Sequence, residues 1–435
     1  MIVAETIKKI LFTVLILFLI APAIQDILEV VPDVPLYGYA ASHSKPDLKY
    51  FTWRRLFIGN FQQEFTAQVE DHIGFRNDLI RLRNQVDFSL FRQSNAPGFM
   101  VGKKDMFFEE DYIHEFTGAY FIGPDLWDKK INRLRSVYDS LKAHEVPLII
   151  IIEPGKATFY PEYIPHRFHP EHRTQSNYEY FVQRSSDLAI PLLDLNRLFC
   201  LMKDTSRYPL FPKYGMHWSW YGMTKVLDTM IRYIEEHSGK DLPDVVISGV
   251  EFTAKSRATD DDIAGMFNLI WQPKRITLPY PDLYYDTTRS GKTASALVVA
   301  DSYFVTLADS IANNIFRRWD YWYYNNKLFP WQNEDPPKYV DKTGLLEQYF
   351  AYDFILLMIS EVNFHNAFWN FPDEAWLAFH PDSVENPVYR IENNILNDRT
   401  WFRFIVKGAK ADQRPLWEAI HGNAAWVYNE YKQNP

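Results

Sequence analysis

Four short runs of aliphatic residues constrain the fold of this chain more than any other feature of its sequence. Near-continuous apolar runs of this length are typical of parallel β-strands covered on both faces. Amphipathic helical patterns lie between some of the runs, at residues 126–145 and 220–238. This alternation predicts an α/β fold with a mainly parallel sheet between helices. The runs are VPLIIII, AIPLLDL, ALVVA and FILLMIS, and they lead to Glu153, Leu195, Ala300 and Ser360.

The carboxyl ends of these predicted strands are the first place to look for a functional site, because open α/β sheets bind ligands there. Glu153, Ser302 and Glu361 all lie at or just past such ends. We therefore expect these three side chains at one edge of the sheet.

Composition and charge exclude several classes of protein. The chain has 435 residues, of which 47% are hydrophobic, and this is ample for a sizeable core. A formal net charge of -9 provides no basic surface for a phosphate backbone, so nucleic acid is not expected as a partner. The single cysteine, Cys200, excludes an internal disulfide framework and a thiolate zinc site.

The N-terminus predicts export. Lys8 and Lys9 precede the apolar run 10–24, which suits a signal peptide, or a membrane span if its flanks contribute. The sequence APA at 21–23 resembles a cleavage site, but Pro22 and the apolar continuation favour an uncleaved anchor. With the positive flank in the cytoplasm, the body would lie in the periplasm or outside the cell. Cleavage would instead release it as a secreted protein, and a buried core helix is the remaining alternative.

The rest of the chain divides into three predicted parts after this anchor or signal peptide at 1–32. Residues 33–49 are rich in Pro, Gly, Ser and Ala and are typical of a tether. Residues 50–371 form the main domain, which opens with two helices separated near Gly74. Residues 372–435 are predicted to form a helical C-terminal appendage.

Ser302 and His217 are the candidate catalytic residues. Ser302 leaves the run ALVVA, so its hydroxyl could lie on a sharp strand-to-helix turn near backbone amides, as a nucleophile requires. His217, in KYGMHWSWYG, could be its general base. The structural alternatives are a helix cap formed by Asp301 or Ser302, and a core histidine packed among aromatic neighbours.

Four segments occur in a distinctive order along the chain: VEDHIGFRNDLIRLRNQVDFSLFRQSNAPGFMVGKKDMFF (69–108), IIIIEPGKATFYPEYIP (149–165), PLFPKYGMHWSWYG (209–222) and LVVADSYF (297–304). In this order they resemble the AlgX/AlgJ-type polysaccharide O-acetyltransferases, a family with an SGNH-hydrolase-like fold. The resemblance covers roughly residues 50–365, and the ordered set is more specific than any single segment.

The resemblance implies a three-layer α/β/α domain that transfers an acetyl group to hydroxyls of a cell-envelope or secreted polysaccharide, without a cofactor. Ser302 would be the acyl-accepting nucleophile and His217 its base. Backbone amides near Ser302 would hold the oxyanion, with Asp301 as support for the site. Lys156, which matches the lysine of a P-x-K motif, would orient the site electrostatically or pair with a surface acid. A multipass membrane O-acyltransferase would be the partner that supplies acetyl groups. A carbohydrate acetylesterase of the same fold is the alternative enzyme.

Two positions depart from the family pattern. Ala300 stands where the serine motif usually has Gly, and Gly215 stands where an Asp usually precedes the histidine by two residues. An Asp at that place orients the imidazole and stabilises its cation. Three alternatives follow: Glu153 or Glu361 replaces the acid, the pair works as a dyad, or the domain is a catalytically silent glycan-binding or scaffold subunit.

Aromatic residues are concentrated at 316–331, in FRRWDYWYYNNKLFPW. Sugars stack on Trp and Tyr, and arginines bind hydroxyls or acidic groups, so the segment predicts a glycan groove. Core packing and docking onto a membrane partner are the alternatives. The candidate glycan-binding residues are Trp218, Arg317, Arg318, Trp319, Tyr321 and Trp322.

The histidines of PHRFHPEHR do not predict a metal site. His166, His169 and His172 recur every three residues, but Pro170 breaks the helix that would align them. No metal is therefore expected.

Overall fold

A computed structural model of the chain describes residues 2–38, 73–186, 190–288, 291–330 and 338–433, together with positions 54, 62, 66 and 70. The described residues form two compact units. One comprises residues 1–101 and 263–274, and the other comprises residues 102–262 and 275–435. The predicted start of the main domain at residue 50 lies outside the described residues.

The first unit contains helices α1 (Ile2–Leu28) and α2 (Arg76–Phe91) and strand β1 (Phe99–Val101). Within α1, Glu5–Leu28 is long and apolar enough to cross a membrane, with a mean hydropathy of 2.3. Its apolar side chains are exposed, as expected of an anchor or signal sequence rather than a core helix. Asn84 of α2 donates to the carbonyl of Phe267 at 2.9 Å, which ties the segment 263–274 to this unit.

The second unit contains strands and helices in alternation over most of its length. Its strands are β2 (Phe107–Glu109), β3 (Leu148–Glu153), β4 (Leu192–Asp194), β5 (Asp244–Thr253), β6 (Leu278–Asp286), β7 (Ser295–Ala300), β8 (Arg318–Tyr323), β9 (Lys327–Pro330), β10 (Lys338–Tyr339) and β11 (Phe354–Ser360). Its helices, with α9 shared with the first unit, are α3 (Glu110–Phe116), α4 (Pro124–Ala143), α5 (Lys156–Phe159), α6 (Asn177–Ser185), α7 (Leu195–Met202), α8 (Trp220–Ser238), α9 (Asp262–Met266), α10 (Tyr303–Leu307), α11 (Asn313–Ile315), α12 (Leu345–Phe350), α13 (Phe371–Phe379), α14 (Pro387–Asn397), α15 (Arg399–Ala411) and α16 (Leu416–Gln433).

The main sheet has the strand order β10-β9-β8-β7-β11-β3-β4. The pairs β8–β7, β7–β11, β11–β3 and β3–β4 are parallel, whereas β9 and β10 add an antiparallel edge. The four aliphatic runs correspond to β3, β4, β7 and β11, so the predicted parallel sheet is confirmed. The aromatic strand β8 was not predicted.

Both faces of the sheet are covered, as β11 shows by its alternation. Ile355, Leu357 and Ile359 belong to a buried cluster that includes residues of α4 and α13. The intervening Leu356 and Met358 instead line a small apolar cavity together with residues of α8 and α10. Because successive side chains of a strand point to opposite faces, helices pack on both sides of the sheet. The predicted three-layer α/β/α arrangement is confirmed.

The C-terminal residues are helical, as predicted, but they are not an appendage. Ile395 of α14, Phe402 of α15 and Ile420 of α16 are each at most 2% exposed and belong to the same buried cluster as the sheet. The apolar spacing indicated helices correctly and gave no information about their partner surface. Residues 387–433 are therefore part of the core of the second unit.

Candidate active site

Ser302 follows the end of β7 and begins the short turn into α10. The preceding Asp301 is fully buried and fixes this turn: Oδ1 accepts the backbone N–H of Tyr303 at 3.0 Å. Its Oδ2 accepts from the N–H and hydroxyl of Ser360, at 2.9 and 2.5 Å, and from Nδ2 of Asn363 at 2.7 Å. Asp301 therefore links the turn at Ser302 to the end of β11.

His217 lies in the segment 209–219, which leads into α8. Ser219 caps that helix, and its hydroxyl also donates to the carbonyl of Pro209 at 2.7 Å. The imidazole packs edge-on against the ring of Tyr303, with centroids 4.7 Å apart, and is only 5% exposed. The ring is therefore held in one orientation beside the nucleophile turn.

Ser302, His217 and Asp262 form a continuous hydrogen-bonded chain. Nε2 of His217 lies 2.9 Å from Oγ of Ser302, and Nδ1 lies 2.7 Å from Oδ2 of Asp262. Because a carboxylate accepts, the proton on Nδ1 faces Asp262, and the lone pair on Nε2 faces the serine hydroxyl. This is the tautomer that a general base needs.

Asp262 was missed by the sequence analysis. It begins α9, and its Oδ1 also accepts the N–H of Met216 at 2.9 Å, so one carboxylate holds both the imidazole and the backbone before it. The sequence signal available was the acidic run Asp260–Asp262 ahead of a short helix. Nothing in that run identified His217 as its partner, since the two lie 45 residues apart.

Neither glutamate proposed as the acid partner occupies this position, which corrects that prediction. Glu361 is buried, and its Oε1 accepts from the hydroxyl of Thr158 at 2.5 Å. Burial raises the pKa of Glu361 to about 8. Glu153 is also fully buried and faces Asp301 rather than the imidazole. Both side chains lie at the carboxyl ends of the strands, as expected, but the hydrogen-bond partners of His217 are Asp262 and Ser302.

Glu153 and Asp301 form a buried carboxyl pair. The carboxyl oxygens of Glu153 receive no donor from the described residues, and burial together with the charge of Asp301 raises its pKa well above the usual range. Both effects favour the protonated form of Glu153, which can donate to Asp301, because two buried carboxylates side by side would repel each other. Asp301, one member of the pair, lies directly before Ser302 in the chain.

Lys156 supports the segment that carries the histidine. Its Nζ donates to the carbonyl oxygens of Gly215, at 2.6 Å, and Lys213, at 3.2 Å. The side chain is 1% exposed, and burial lowers its pKa to about 7, although Asp262 acts in the opposite direction. Of the two predicted roles, pairing with a surface acid does not apply. Lys156 holds the backbone two residues before His217.

Glu109, at the end of β2, is a further acidic residue that the sequence analysis missed. Its pKa is raised to about 7, first by burial and then by Asp111, while Arg399 and His217 act in the opposite direction. A carboxyl group whose pKa is near neutrality, and which is close enough to interact electrostatically with an imidazole, is typical of functional sites.

The predicted glycan-binding aromatic residues are core residues, which corrects that interpretation. Trp319, Tyr321 and Trp322 lie on β8 and are 6, 3 and 2% exposed. Trp218 is 1% exposed, and its indole N–H donates to Thr306. A strand in the middle of a sheet buries both faces, so these rings have no surface for a sugar. Arg317 and Arg318 remain exposed at the start of β8, at the opposite end of the strand from Ser302.

The three histidines considered for a metal do not share a helix. His166 and His172 lie in separate short 3-10 turns, and His169 between them has a left-handed backbone with φ of 49°. Among the described residues there is no group of three or more His, Cys, Asp or Glu side chains arranged to hold a metal ion.

The part of the chain that contains Ser302, His217 and Asp262 matches a known protein family. Residues 116–310 match the family described as "SGNH hydrolase-like domain, acetyltransferase AlgX", and this range contains His217, Asp262 and Ser302. Residues 116–310 therefore resemble an AlgX-type, SGNH hydrolase-like domain. The chain is also similar to the "Probable alginate O-acetylase AlgJ" of Pseudomonas aeruginosa, with 28% identity over 189 residues. That alignment covers 43% of this chain and 46% of the relative, so the chain spans about half the length of the relative that it matches.

Three solved structures show partial similarity to this chain. The O-acetyltransferase domain of Pseudomonas putida AlgJ is 17% identical, with a TM-score of 0.40, over 62% of this chain and 92% of that one. Pseudomonas aeruginosa AlgX is 14% identical, with a TM-score of 0.34, over 60% and 55%. Bacillus cereus PatB1 is 10% identical, with a TM-score of 0.35, over 55% and 90%.

Proposed function

We propose that this chain is an O-acetyltransferase that carries an acetyl group on Ser302 and transfers it to a hydroxyl of a polysaccharide. The observation that carries the proposal is the hydrogen-bonded chain Ser302–His217–Asp262 in an AlgX/AlgJ-type domain. It supports catalysis because it supplies a nucleophile, a base in the correct tautomer and an acid that orients the base.

The first half of the reaction loads the serine. His217 takes the proton of Ser302 as Oγ attacks the carbonyl carbon of the acetyl donor, which generates a tetrahedral oxyanion. The oxyanion collapses, the bond to the leaving group breaks, and His217 returns the proton to that group. Asp262 stabilises the imidazolium that exists between these two proton transfers.

The second half of the reaction unloads the serine onto the acceptor. His217 takes the proton of a glycan hydroxyl, and the hydroxyl oxygen attacks the ester carbon of acetyl-Ser302. Collapse of this second tetrahedral species releases the acetylated glycan and returns the proton to Ser302. The same residues therefore serve both halves without a metal or cofactor step.

The proposed acceptor and donor are supported by a relative and by the N-terminal helix. One relative is named a probable alginate O-acetylase, so a uronate polysaccharide is the first acceptor to test. The apolar helix Glu5–Leu28 supports a body tethered to the membrane on its outer side. We infer that a multipass membrane O-acyltransferase supplies the acetyl group there, since tethering raises the effective concentration of the two partners.

The test is the intact mass of the full chain, purified in detergent, after exposure to 4-nitrophenyl acetate. We expect one acetyl adduct on Ser302, absent from Ser302→Ala and strongly reduced in His217→Ala. A deacetylated alginate oligosaccharide added afterwards should remove the adduct and become acetylated. Loss of the adduct to water alone would indicate an esterase, and a folded protein that never forms the adduct would overturn the catalytic proposal.

A further inference from the structure

A cavity of about 560 Å³ opens on the surface of the second unit. Its size is within the range of about 300–1,000 Å³ that is usual for small-molecule sites. The residues that line this side cavity include Trp220, Arg257, Asp282, Ser310 and Asn314. None of them takes part in the acyl transfer proposed for Ser302, so the side cavity needs a separate explanation.

Two walls of the side cavity come from the segments that carry His217 and Asp262. Trp220 begins α8, shortly after His217, and Arg257 belongs to the loop that leads to Asp262. The backbone N–H of Trp220 donates to Oδ1 of Asp260 at 3.2 Å, which joins the two segments. The side cavity therefore adjoins the base and the acid of the candidate active site.

The third wall of the side cavity belongs to the helical segment that follows Ser302. Ser310 and Asn314 lie on this segment and line the cavity. With a helical rise of about 1.5 Å per residue, Ser310 lies about 12 Å from Ser302 along the segment. A glycan of several units can therefore present one hydroxyl to Ser302 while a further unit occupies the side cavity.

Hydrogen bonds hold the walls of the side cavity together. Nε1 of Trp220 donates to the carbonyl of Pro281 on β6 at 2.9 Å. The hydroxyl of Tyr285, also on β6, donates to the carbonyl of Ser310 at 2.8 Å, and Nδ2 of Asn314 donates to the same carbonyl at 2.8 Å. Because these bonds link α8, β6 and the segment after Ser302, a ligand would enter a site that needs little ordering on binding.

The lining combines aromatic rings with hydrogen-bonding groups, as sugar sites do. Trp220 and Tyr285 provide ring surface, and Asp282, Ser310 and Asn314 provide a carboxylate, a hydroxyl and an amide. Pyranose rings present apolar CH faces to aromatic side chains and hydroxyls to polar ones. This composition favours a sugar over a purely apolar ligand.

The charges around the side cavity favour a sugar without an acidic group. The guanidinium of Arg257 is paired with Glu251 and lies 4.8 Å from the centre of the Tyr280 ring. Asp282 adds a carboxylate to the lining. A phosphate, a sulfate or a uronate would be repelled by that carboxylate, whereas a sugar hydroxyl can donate to it.

We propose that the side cavity binds an uncharged pyranose unit of the acceptor glycan, beyond the unit that takes the acetyl group from Ser302. This assignment rests on the proposed acyl transfer and adds an acceptor subsite to it. No bond forms or breaks in the cavity. Its residues position the acceptor, because a unit held there lowers the entropy cost of placing another hydroxyl at acetyl-Ser302.

The experiment titrates the full chain, purified in detergent, with mannotetraose, cellotetraose and a deacetylated alginate tetrasaccharide in a calorimeter. We expect a neutral tetrasaccharide to bind with a Kd at least about tenfold lower than that of the uronate. Ser310→Trp, which places an indole in the side cavity, should raise this Kd about tenfold or more, and so should Asp282→Ala at an exposed position. Val246→Trp adds an indole to the exposed face of β5, outside the lining, and should change the Kd less than about twofold.

Acetylation of Ser302 by 4-nitrophenyl acetate, measured on the same samples, tests the acyl-transfer function separately. A wild-type chain that binds a neutral tetrasaccharide but forms no adduct would overturn that function and leave glycan binding at the side cavity standing. A chain that forms the adduct but binds neither neutral tetrasaccharide would overturn the subsite alone. Unchanged binding in both Ser310→Trp and Asp282→Ala, or tighter binding of the alginate tetrasaccharide, would overturn it as well.

Discussion

Gly215 and Thr259 approach each other so closely that no side chain fits at position 215. A Cβ built on Gly215 would lie 2.3 Å from the carbonyl oxygen of Thr259, and 3.0 Å from the carbonyl carbon of Asp260. The loop that makes this approach continues to Asp262, whose carboxylate reaches His217 at 2.7 Å. The loop that leaves no room for a side chain at position 215 is therefore the same loop that supplies the acid at 262.

Adding a methyl group at position 215 should separate the loop from the histidine segment. We expect Gly215→Ala to lower the rate of acetyl-Ser302 formation at least tenfold and to cost about 1–3 kcal/mol of stability, because backbone atoms must move. Stopped-flow acylation and thermal melting measure the two effects. Gly408→Ala is the control, since a Cβ there meets nothing within 4 Å and it lies inside α15. Wild-type acylation by Gly215→Ala would contradict the coupling.

Replacing Asp262 by Asn should leave the geometry in place but reverse the hydrogen-bond polarity at Nδ1. We expect a loss of up to about 10⁴-fold in acylation, as for the equivalent change in serine proteases, with little change in melting temperature. Asp260→Asn is the matched control, because Asp260 accepts from the N–H of Trp220 at 3.2 Å and does not contact the imidazole. Adding Gly215→Asp to Asp262→Asn should not restore activity, owing to the clash with Thr259. Equal rates for the two Asn variants would exclude Asp262 as the orienting acid.

The sequence allowed Ser302 and His217 to be predicted as partners, and the structure brings them into contact, but it did not identify Asp262 as their acidic neighbour. Ser302 and Glu153 could be placed at one edge because parallel strands end together, and the histidine motif added His217. Asp262 comes from a loop between the two strands of a hairpin, and its position depends on tertiary packing around Gly215. Periodicity and strand ends contain no information about such a contact.

Strand β8 was misinterpreted for a different physical reason. Its sequence RWDYWY is aromatic on both faces, and the same residue types suit either a buried strand or a sugar-binding surface. The distinguishing property is burial, which depends on the neighbours that β7 and β9 provide. Strands β3, β7 and β11 were recognisable from the sequence because runs of aliphatic residues are typical of buried strands and not of sugar-binding surfaces.

Truncation of the β8 tryptophans should destabilise the fold rather than specifically weaken glycan binding. Trp322→Ala and Trp319→Ala each remove a large buried ring, and we expect a loss of about 3–5 kcal/mol in each case. Arg317→Ala, at an exposed position just before the strand, should change stability by less than about 0.5 kcal/mol. Chemical denaturation measures all three. A stable Trp322→Ala protein that binds oligosaccharide less tightly would restore the groove interpretation.

Glu153 should tolerate an amide but not an apolar side chain. In Glu153→Gln the amide still donates to Asp301, so we expect acylation within about fivefold of wild type. In Glu153→Leu the Asp301 carboxylate loses that donor in a fully buried site, which should cost about 1–3 kcal/mol and displace the nucleophile turn. The ratio of the two acylation rates tests the pair directly. If the Gln variant were as impaired as the Leu variant, a neutral donor could not be the role of Glu153.

Glu361 should make stability fall as the pH rises through the neutral range. Its pKa is about 8 in the folded chain against an ordinary value of 4.5, because the site is buried and only Thr158 donates to it among the described residues. The folded state therefore holds a proton that the unfolded chain has released. The stabilisation that this bound proton adds to the free energy of unfolding is fully present below pH 4.5. It falls by about 1.4 kcal/mol per pH unit above that value and is lost near pH 8.

Glu361→Gln removes this titration while keeping the shape of the side chain. Unfolding free energies measured by urea denaturation from pH 5 to pH 8 should therefore decline less steeply in Glu361→Gln than in wild type. The exposed Glu347→Gln serves as the control and should run parallel to wild type. Parallel curves for Glu361→Gln and wild type would mean that Glu361 ionises in the folded chain much as it does in water. The Glu361 carboxyl group lies against the backbone of Gly155, next to Lys156, which donates to the carbonyl of Gly215. Such a result would therefore also place a negative charge close to Lys156.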